Sequence, residues 1–370
     1  MGTSVGIPKE VKNHEYRVGA TPTVVQALVN RGHRVLVQTM AGACVGFDDA
    51  SYQGMGAEIV TSSEEVYQAE LIVKVKEPQP CEYSYLREGQ VLFTYLHLAP
   101  DPQQTKALLD RGVIGIAYET VTDQENRLCL LTPMSEIAGR VSIQVGATAL
   151  QAAHGGRGVL LGGVPGVAAG KVVVLGGGIV GTEAARMALG LGADVMVFDT
   201  NLSRLRVLDS LWGMRTRYST PDMIEQEIAQ ADLVIGAVLI PGKLAPRLVS
   251  LEMEKSMLPG SVVVDVSIDQ GGCFESSKVT SHSEPTYEVN GVVHYGVPNM
   301  PGACSKTATQ ALTNATMPYI LKLADLGYKK ALKDDFGFCK GLNVCLGHVT
   351  YEGVANDLGY PYVSADRMLQ

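Results

Sequence analysis

The sequence contains a glycine-rich segment of the kind that binds phosphate groups. Gly176-x-Gly178-x-x-Gly181 follows the apolar run 171–175, and a helical pattern begins at Ile179. In such a segment the first glycine permits a tight turn, the second lets a pyrophosphate approach the backbone, and the third allows close helix–strand packing. The helix N-terminus adds free N–H groups and partial positive charge. The segment therefore predicts a dinucleotide site.

An acidic residue stands at the end of the next predicted strand. Asp199 lies 18 residues past Gly181, close to where a carboxylate accepts hydrogen bonds from a ribose 2′-OH and repels a 2′-phosphate. This position favours NAD over NADP. Arg204 and Arg206 lie nearby and leave NADP open as an alternative. A second alternative is a glycine-rich turn beside a solvated carboxylate, with no ligand.

Five polar residues stand at or just beyond the ends of predicted strands. They are Arg17, Lys74, Lys76, His97 and Asp269. In open α/β sheets, ligands bind beyond the carboxyl ends of the strands, so these residues are candidates for a binding site. Ordinary explanations stay open on pattern alone: Arg17 as a surface charge, Lys76 as the solvated end of a strand, and His97 as a hydrogen-bonded histidine near a turn.

The elements that would position these residues alternate between strands and helices. The apolar runs predict strands over 5–7, 34–38, 71–75, 91–94, 113–117, 171–175, 194–198, 233–237, 261–266 and 292–295. Helical spacing predicts helices over 23–30, 63–68, 102–110, 132–150, 179–189 and 306–324, the last with a kink at Pro318. This alternation predicts parallel sheets with helical crossovers.

Composition limits the classes of protein that the chain can be. At 370 residues, 46% apolar and 41 of them glycine, it predicts about two domains of an α/β enzyme. A net charge of −8 without a basic run argues against nucleic-acid and membrane partners. Seven scattered cysteines without a C-x-x-C pair, and no signal segment, predict a cytoplasmic protein without a structural metal site.

Long segments of the chain resemble the NAD-dependent L-alanine dehydrogenase family, which includes the NAD(H)-binding subunit of proton-translocating transhydrogenase. These segments include GIPKEVKNHEYRV (6–18), LIVKVKEPQ (71–79), TYLHLAPD (94–101), PMSEIAGR (133–140), VVVLGGGIVGTEAA (172–185), VVVDVSIDQGG (262–272) and YGVPNMPGA (295–303). They occur in the family's order and span most of the chain.

The resemblance implies a fold of two Rossmann-like α/β domains, each with a parallel-rich sheet flanked by helices. The active site would lie in the cleft between them. Residues 1–134 and 305–370 would form a discontinuous substrate and catalytic domain. Residues 135–304 would form the NAD-binding domain.

The resemblance also implies roles for individual residues. Arg17 and Lys76 match the ligands of the substrate carboxylate, and a guanidinium can grip a carboxylate bidentately. His97 matches the general acid/base, whose imidazole suits proton transfer near neutral pH. Asp269 matches a second catalytic residue that would orient substrate or water and balance positive charge. Asn299 would lie beside the substrate and the nicotinamide.

The implied cofactor contacts lie mainly in the second domain. They are Ser135, Gly176, Gly178, Ile179, Val180, Gly181, Asp199, Arg204, Ser219, Val238, Leu239, Val266, Asn299 and Met300.

The implied activity is the reversible conversion of L-alanine, NAD and water to pyruvate, ammonium and NADH. Two alternatives stay open. One is a dehydrogenase of another small amino acid, or reductive amination of glyoxylate, because one methylene changes discrimination by only about 1–3 kcal/mol. The other is a non-catalytic NAD(H)-binding subunit like that of transhydrogenase, against which Lys76, His97 and Asp269 together argue. The family also implies a homo-oligomer, with a hexamer favoured.

Overall fold

The computed structural model describes residues 2–210, 213–238 and 244–370. In chain order its strands are β1 (Ser4–Ile7), β2 (Arg34–Gln38), β3 (Glu58–Val60), β4 (Leu71–Val73), β5 (Val91–Thr94), β6 (Ile114–Ala117), β7 (Lys171–Leu175), β8 (Asp194–Asp199), β9 (Arg215–Tyr218), β10 (Leu233–Gly236), β11 (Val262–Asp265), β12 (Thr286–Val289), β13 (Val292–Tyr295), β14 (Leu342–Cys345) and β15 (His348–Val349).

The helices alternate with these strands. They are α1 (Pro22–Val29), α2 (Asp49–Gln53), α3 (Ser63–Val66), α4 (Pro102–Asp110), α5 (Thr132–Ala149), α6 (Ile179–Gly190), α7 (Leu202–Asp209), α8 (Pro221–Ile228), α9 (Leu251–Lys255), α10 (Ser305–Lys333), α11 (Phe336–Cys339), α12 (Glu352–Leu358) and α13 (Ala365–Leu369).

The chain forms two compact units. Unit 1 comprises Met1–Met134 and Cys304–Gln370, and unit 2 comprises Ser135–Ala303. The predicted domains differ by one residue, because the sequence analysis placed Cys304 in the inserted domain. The assignment of substrate binding to one unit and cofactor binding to the other stays a prediction.

The sheet of unit 1 has the strand order β15-β14-β6-β5-β4-β1-β2-β3. Strands β1 to β6 pair in parallel, and β14 is antiparallel to both β6 and β15. The parallel strands follow the doubly wound order, which reverses direction between β1 and β4. Ligands in such sheets bind beyond the carboxyl ends of the strands at this reversal.

The sheet of unit 2 has the strand order β12-β13-β11-β10-β7-β8-β9. Its strands pair in parallel except for the antiparallel pair of β12 and β13. The parallel strands repeat the doubly wound order, here with the reversal between β7 and β10. The predicted fold class, two Rossmann-like units with parallel-rich sheets flanked by helices, is confirmed.

The central strands are buried on both faces, as the continuous apolar runs predict. Every residue of β4, β10, β11 and β13 is buried, because helices cover both faces of a parallel sheet. The predicted strands 34–38, 91–94 and 171–175 coincide with β2, β5 and β7.

The strands at the four sheet edges were not predicted. They are β3, β9, β12 and β15. An edge strand pairs on one side only and needs no continuous apolar run. For example, β9 consists of an Arg-Thr-Arg-Tyr segment without a fully buried residue. The strand β14 was also missed, although all four of its residues are buried.

The kink predicted at Pro318 stays a prediction, and a break elsewhere in α10 was not predicted. Helix α10 continues through this residue, and the break falls at Gly327, where φ is 70° and ψ is 160°. Glycine adopts a positive φ without the steric penalty of a Cβ. Pro318 removes one backbone hydrogen bond, and α10 is anchored beside it by the buried side chains of Thr316 and Ile320.

No helix among the described residues is long and apolar enough to cross a membrane. Within the same residues, no group of three or more His, Cys, Asp and Glu side chains could hold a metal ion.

Candidate active site

Unit 1 carries three of the predicted site residues at one edge of its sheet. Arg17 lies in the segment after β1, Lys76 just beyond β4, and His97 just beyond β5. Because β1, β4 and β5 are parallel neighbours, these segments leave the sheet at the same edge. The fold therefore brings these three segments together at the switch point of unit 1.

Arg17 is buried and paired with Glu15. Its Nε donates to Oε1 of Glu15 at 2.7 Å, and its Nη2 donates to Oε2 at 2.5 Å. Burial would raise the pKa of Glu15, but the hydrogen bonds and charge of Arg17 outweigh burial and hold it below its ordinary value. Glu15 thus takes the Nε–Nη2 side of the guanidinium. Its Nη1 donates to Sδ of Met134 at 3.2 Å.

Lys76 is half-buried, and its Nζ makes no hydrogen bond or ion pair with any described residue. Burial and the positive charge of Arg17 hold the pKa of Lys76 below its ordinary value. Nearby Glu77 pairs with Lys12 instead. The Lys76 ammonium is therefore placed to accept an anion as its counter-charge.

Lys74, the other lysine that the sequence analysis singled out, has a different environment. It is fully buried, with Nζ 2.9 Å from Oε1 of Glu82 and 3.2 Å from Oε2 of Glu10. Burial would lower the pKa of Lys74, but the two carboxylates outweigh burial and raise it above its ordinary value. The two lysines therefore differ: Lys74 has two carboxylate partners, whereas the Nζ of Lys76 pairs with no described residue.

His97 has an exposed side chain on a strained backbone. Its φ is 47°, in the left-handed region that few non-glycine residues adopt. Its ring stacks on Tyr95, with centroids 5.8 Å apart and planes at 4°. The exposed imidazole could exchange protons with a ligand.

Glu119, which was not among the predicted site residues, holds the backbone at His97. Its Oε1 accepts the His97 N–H at 2.6 Å, and its Oε2 accepts the Leu96 N–H at 3.2 Å. The same Oε1 lies 3.9 Å from His97 Nδ1. Glu119 could have been predicted from its position just beyond the predicted strand 113–117. This strand is the neighbour of the strand that precedes His97, so the two residues leave the sheet side by side.

The predicted glycine segment of unit 2 forms a turn between β7 and α6. Gly176 has a φ of 102°, and a Cβ on Gly181 would lie 1.8 Å from the carbonyl oxygen of Gly176. A Cβ on Gly178 would meet no heavy atom within 4 Å. Gly178 is also the N-cap of α6 and provides no side chain to bind the helix N–H groups. The loop is therefore tight where the chain must turn and open where a phosphate would approach.

Asp199 ends β8 and is anchored to the glycine turn. Its Oδ2 accepts the Gly177 N–H, and its Oδ1 accepts the Asn201 N–H, each at 2.7 Å. The carboxylate is half-buried. It therefore lies beside the turn at the end of the neighbouring strand, where the ribose of a dinucleotide is bound in this fold.

Arg204 braces the same turn. Its Nε donates to the Gly177 carbonyl oxygen at 2.5 Å, and its Nη2 donates to Oγ1 of Thr182. These contacts commit two of its three nitrogens to the protein, so the structure gives no support to Arg204 as a 2′-phosphate ligand. Arg206, the other basic residue of that alternative, is exposed.

A hydrogen bond joins two predicted residues at the carboxyl edge of unit 2. The backbone N–H of Asn299 donates to Oδ2 of Asp269 at 3.3 Å. Asp269 lies in the turn Val266–Gln270 after β11, and Asn299 follows β13, the neighbouring strand. Asp269 is exposed, and Asn299 has a φ of 54°.

The other predicted cofactor residues lie at helix starts or beyond strand ends. They are Ser135 in the first turn of α5, Ile179 and Val180 in the first turn of α6, Ser219 after β9, Val238 after β10, Val266 after β11 and Met300 after β13. Leu239 lies outside the described residues. The roles assigned to all these residues stay predictions.

The residues present in unit 2 fit a dinucleotide. The fit rests on the space at Gly178, the α6 N-terminus without a side-chain cap, and the carboxylate of Asp199 at the end of the next strand. Together they match the pyrophosphate and ribose sites of this fold.

Family models match both parts of the chain. The model described as "Alanine dehydrogenase/PNT, N-terminal domain" matches residues 6–138, and its C-terminal counterpart matches residues 142–352. An alanine dehydrogenase of Bacillus subtilis (strain 168) is 56% identical over 369 residues, which cover 99% of this chain and 97% of that protein.

Two solved structures are also similar. An L-alanine dehydrogenase has a TM-score of 0.94 at 53% identity, covering 96% of this chain and 99% of that one. A transhydrogenase from Sinorhizobium meliloti has a TM-score of 0.80 at 27% identity, covering 94% and 99%. On this full-length similarity, the chain belongs to the alanine dehydrogenase/PNT family.

Proposed function

We propose that this chain catalyses the reversible NAD-dependent oxidative deamination of L-alanine to pyruvate and ammonium. One observation carries the proposal: Lys76, a cationic side chain at the switch point of unit 1, has no ion-pair partner among the described residues. The second unit supports the proposal with an open glycine turn at a helix N-terminus. The full-length likeness to proteins named alanine dehydrogenase supports the substrate.

In the proposed reaction, Lys76 and Arg17 bind the substrate carboxylate. Two cations on one carboxylate fix the α-carbon in place, and alignment of this kind lowers the entropic barrier to reaction. The Glu15 pairing keeps the guanidinium oriented while the substrate enters. NAD supplies the hydride acceptor at its nicotinamide ring when it is bound.

His97 is the proposed acid/base. The substrate iminium remains once the α-ammonium has lost a proton to solvent and the Cα–H bond has broken with loss of hydride. His97 then accepts a proton from the water that adds to the iminium carbon and gives it to the nitrogen. It accepts the hydroxyl proton as the C–N bond breaks and the carbonyl forms, and it passes this proton to the departing ammonia. Asp269 is proposed to orient the water and to balance the positive charge of the iminium. Alanine, NAD⁺ and water thereby yield pyruvate, ammonium, NADH and one proton.

Asp199 underlies the proposed preference for NAD. Its carboxylate lies beside the glycine turn, where two backbone N–H groups anchor it. A 2′-phosphate placed there would meet this carboxylate, whereas a 2′-OH would donate to it. We propose NAD, rather than NADP, as the cofactor.

The direct test follows NADH absorbance with pyruvate and ammonium, omitting one component at a time. We expect oxidation that needs all three components and is much slower with NADPH. Turnover of another oxo acid, such as glyoxylate, with little turnover of pyruvate would show that the substrate is a different oxo acid and would leave the proposed mechanism unchanged. Tight NADH binding without turnover of any oxo acid would favour a non-catalytic, transhydrogenase-like subunit instead.

His97→Ala tests the acid/base. We expect kcat to fall by about 10²–10⁴-fold, which is the usual contribution of such a group. NADH binding, measured by fluorescence titration, should be unchanged because the described contacts of His97, with Glu119 and Tyr95, lie within unit 1. Activity within a few-fold of the wild type would assign the proton transfer to another residue.

We also propose a homo-oligomer, with a hexamer favoured, that acts in the cytoplasm on small molecules. The family resemblance supports the assembly, and the acidic net charge of −8 is consistent with partners other than nucleic acid or anionic membranes. Light scattering coupled to size-exclusion chromatography measures the assembly directly, and a monomeric mass would contradict it.

A further inference from the structure

A buried charged cluster lies next to the proposed carboxylate site, and the reaction above does not use it. This Lys74 cluster consists of Lys74, Glu10, Glu82 and the hydroxyl of Tyr67, which donates to Oε1 of Glu82 at 2.8 Å. The three charged side chains are at most 3% exposed. Burying charges in this way is expensive unless each is paired and hydrogen-bonded, so the cluster calls for an explanation.

Glu10 and Glu82 both bind Lys74, but they differ in their other contacts. Oε1 of Glu10 accepts the backbone N–H of Val75 at 2.7 Å and that of Lys76 at 3.3 Å. Glu82 instead accepts from Tyr67 and from the backbone N–H of Gln79. Of the two carboxylates, Glu10 is therefore the one that connects the cluster to the backbone of the proposed substrate ligand.

The sheet itself leaves this backbone unsupported on one side. The pairing of β4 with β1 ends at Ile72, opposite Gly6, whereas the β5 side continues with Tyr95 N–H donating to the Val75 carbonyl. Beyond the end of the β1 pairing, the carboxylate of Glu10 provides the acceptor for the Val75 N–H. A buried N–H group without an acceptor would destabilise this conformation.

We propose that Glu10 is a positioning residue for Lys76, and that Lys74 serves to hold Glu10 in place. Glu10 lies between β1 and Arg17, so its bonds to Val75 and Lys76 tie the two segments that carry the proposed carboxylate ligands. The inference rests on the proposed role of Lys76 in substrate binding.

The electrostatics of the cluster indicate that Lys74 holds the carboxylate of Glu10 in place. Burial raises the pKa of Glu10, the ammonium of Lys74 opposes this, and the carboxylate of Glu82 adds to it. Lys74 binds Oε2 of Glu10 and so leaves Oε1 directed at the backbone. The ion pair therefore orients a carboxylate that must accept on both oxygens.

A pair of isosteric variants separates positioning from general support. Glu10→Gln and Glu82→Gln each remove one carboxylate from Lys74. In the amide that replaces the Glu10 carboxylate, one of the two oxygen positions becomes an NH2 donor. That position then faces either the Lys74 ammonium or the Val75 N–H and cannot accept from it. Glu82→Gln leaves the contacts of Glu10 intact and is the matched control.

We expect Glu10→Gln to raise the KM for pyruvate roughly tenfold, the effect of one lost charge-assisted hydrogen bond. The Kd for NADH should stay within about twofold, because the described contacts of Glu10 lie within unit 1. Glu82→Gln should lose thermal stability to a similar degree, with the KM for pyruvate unchanged. Equal increases in KM for both variants, or an unchanged KM in folded Glu10→Gln, would overturn the proposal.

Hydrogen exchange of the wild-type chain tests the same inference and does not require that a variant fold correctly. The amides of Val75 and Lys76 should exchange slowly, like those of β4. Fast exchange would show that Glu10 does not hold them, and it would overturn the proposal.

The variant Lys76→Ala distinguishes the two possible failures. If its KM for pyruvate is unchanged, the proposed role of Lys76 fails and the positioning role fails with it. If its KM rises sharply while that of Glu10→Gln does not, only the positioning role fails.

Discussion

Replacing Glu119 by Ala should slow the reaction by releasing the backbone of His97. This residue is held at a φ of 47°, and a left-handed conformation costs a non-glycine residue about 1–2 kcal/mol. The carboxylate of Glu119 offsets this cost by accepting the N–H groups of His97 and Leu96 at 2.6 and 3.2 Å. Without these bonds, the backbone of His97 is free to relax to a negative φ.

The size of the effect follows from the conformational penalty. Because tenfold corresponds to about 1.36 kcal/mol, a penalty of about 1–2 kcal/mol reduces the population of the observed His97 conformation by roughly 5- to 30-fold. If only this conformation transfers protons, kcat should fall by the same factor. The KM for pyruvate should change little, since Arg17 keeps its pairing with Glu15 and the surroundings of Lys76 are unchanged.

The assay is steady-state NADH oxidation with saturating pyruvate and ammonium, together with a titration of NADH binding. Glu125→Ala is the matched control, because Glu125 is an exposed carboxylate on the same segment that pairs with Arg127. We expect the control to match the wild type. A kcat for Glu119→Ala within twofold of the wild type would refute the link between this carboxylate and the geometry of His97.

Three further predictions concern unit 2. Gly181→Ala should abolish NADH binding, measured by fluorescence titration, because the new Cβ would lie 1.8 Å from the carbonyl oxygen of Gly176; binding at wild-type strength would contradict it. Asp199→Ala should reduce the preference for NADH over NADPH at least tenfold in kcat/KM, since it removes the charge that repels a 2′-phosphate, and an unchanged ratio would exclude a ribose role. Burial lowers the pKa of His294 to about 4, so its contribution to stability is full above pH 6.5 and is lost as the pH falls toward 4. As the pH falls from about 7.5 to 5, protonation of His294 in the unfolded chain should lower the free energy of unfolding by about 2 kcal/mol. Urea titrations of His294→Phe should not show this loss, and equal losses in both proteins would contradict the prediction.

The interior of both sheets and the location of the dinucleotide turn could be predicted from the sequence alone. Parallel strands covered on both faces require long apolar runs, and those of β2, β5 and β7 were visible with their observed bounds. The glycine spacing around Gly178 was equally visible, because the need for a turn without a Cβ is a local property of the backbone. Strand ends then indicated Arg17, Lys76 and His97 as candidates.

The partner of each charged residue, by contrast, became visible only in the folded chain. Lys74 and Lys76 are two residues apart, yet one is enclosed by Glu10 and Glu82 and the other has no ion-pair partner among the described residues. Arg204, a candidate phosphate ligand in the sequence, braces the glycine turn.

This difference follows from the range of the interactions involved. Apolar periodicity and turn chemistry depend on neighbours within a few residues, so the sequence displays them directly. The surroundings of Lys76 and His97 depend on loops from separate strands that meet only when the sheet has formed, as when Glu119 reaches the backbone of His97. The edge strands also depend on such long-range contacts. Each forms because it pairs with one neighbouring strand, and none needs an apolar run that the sequence would display.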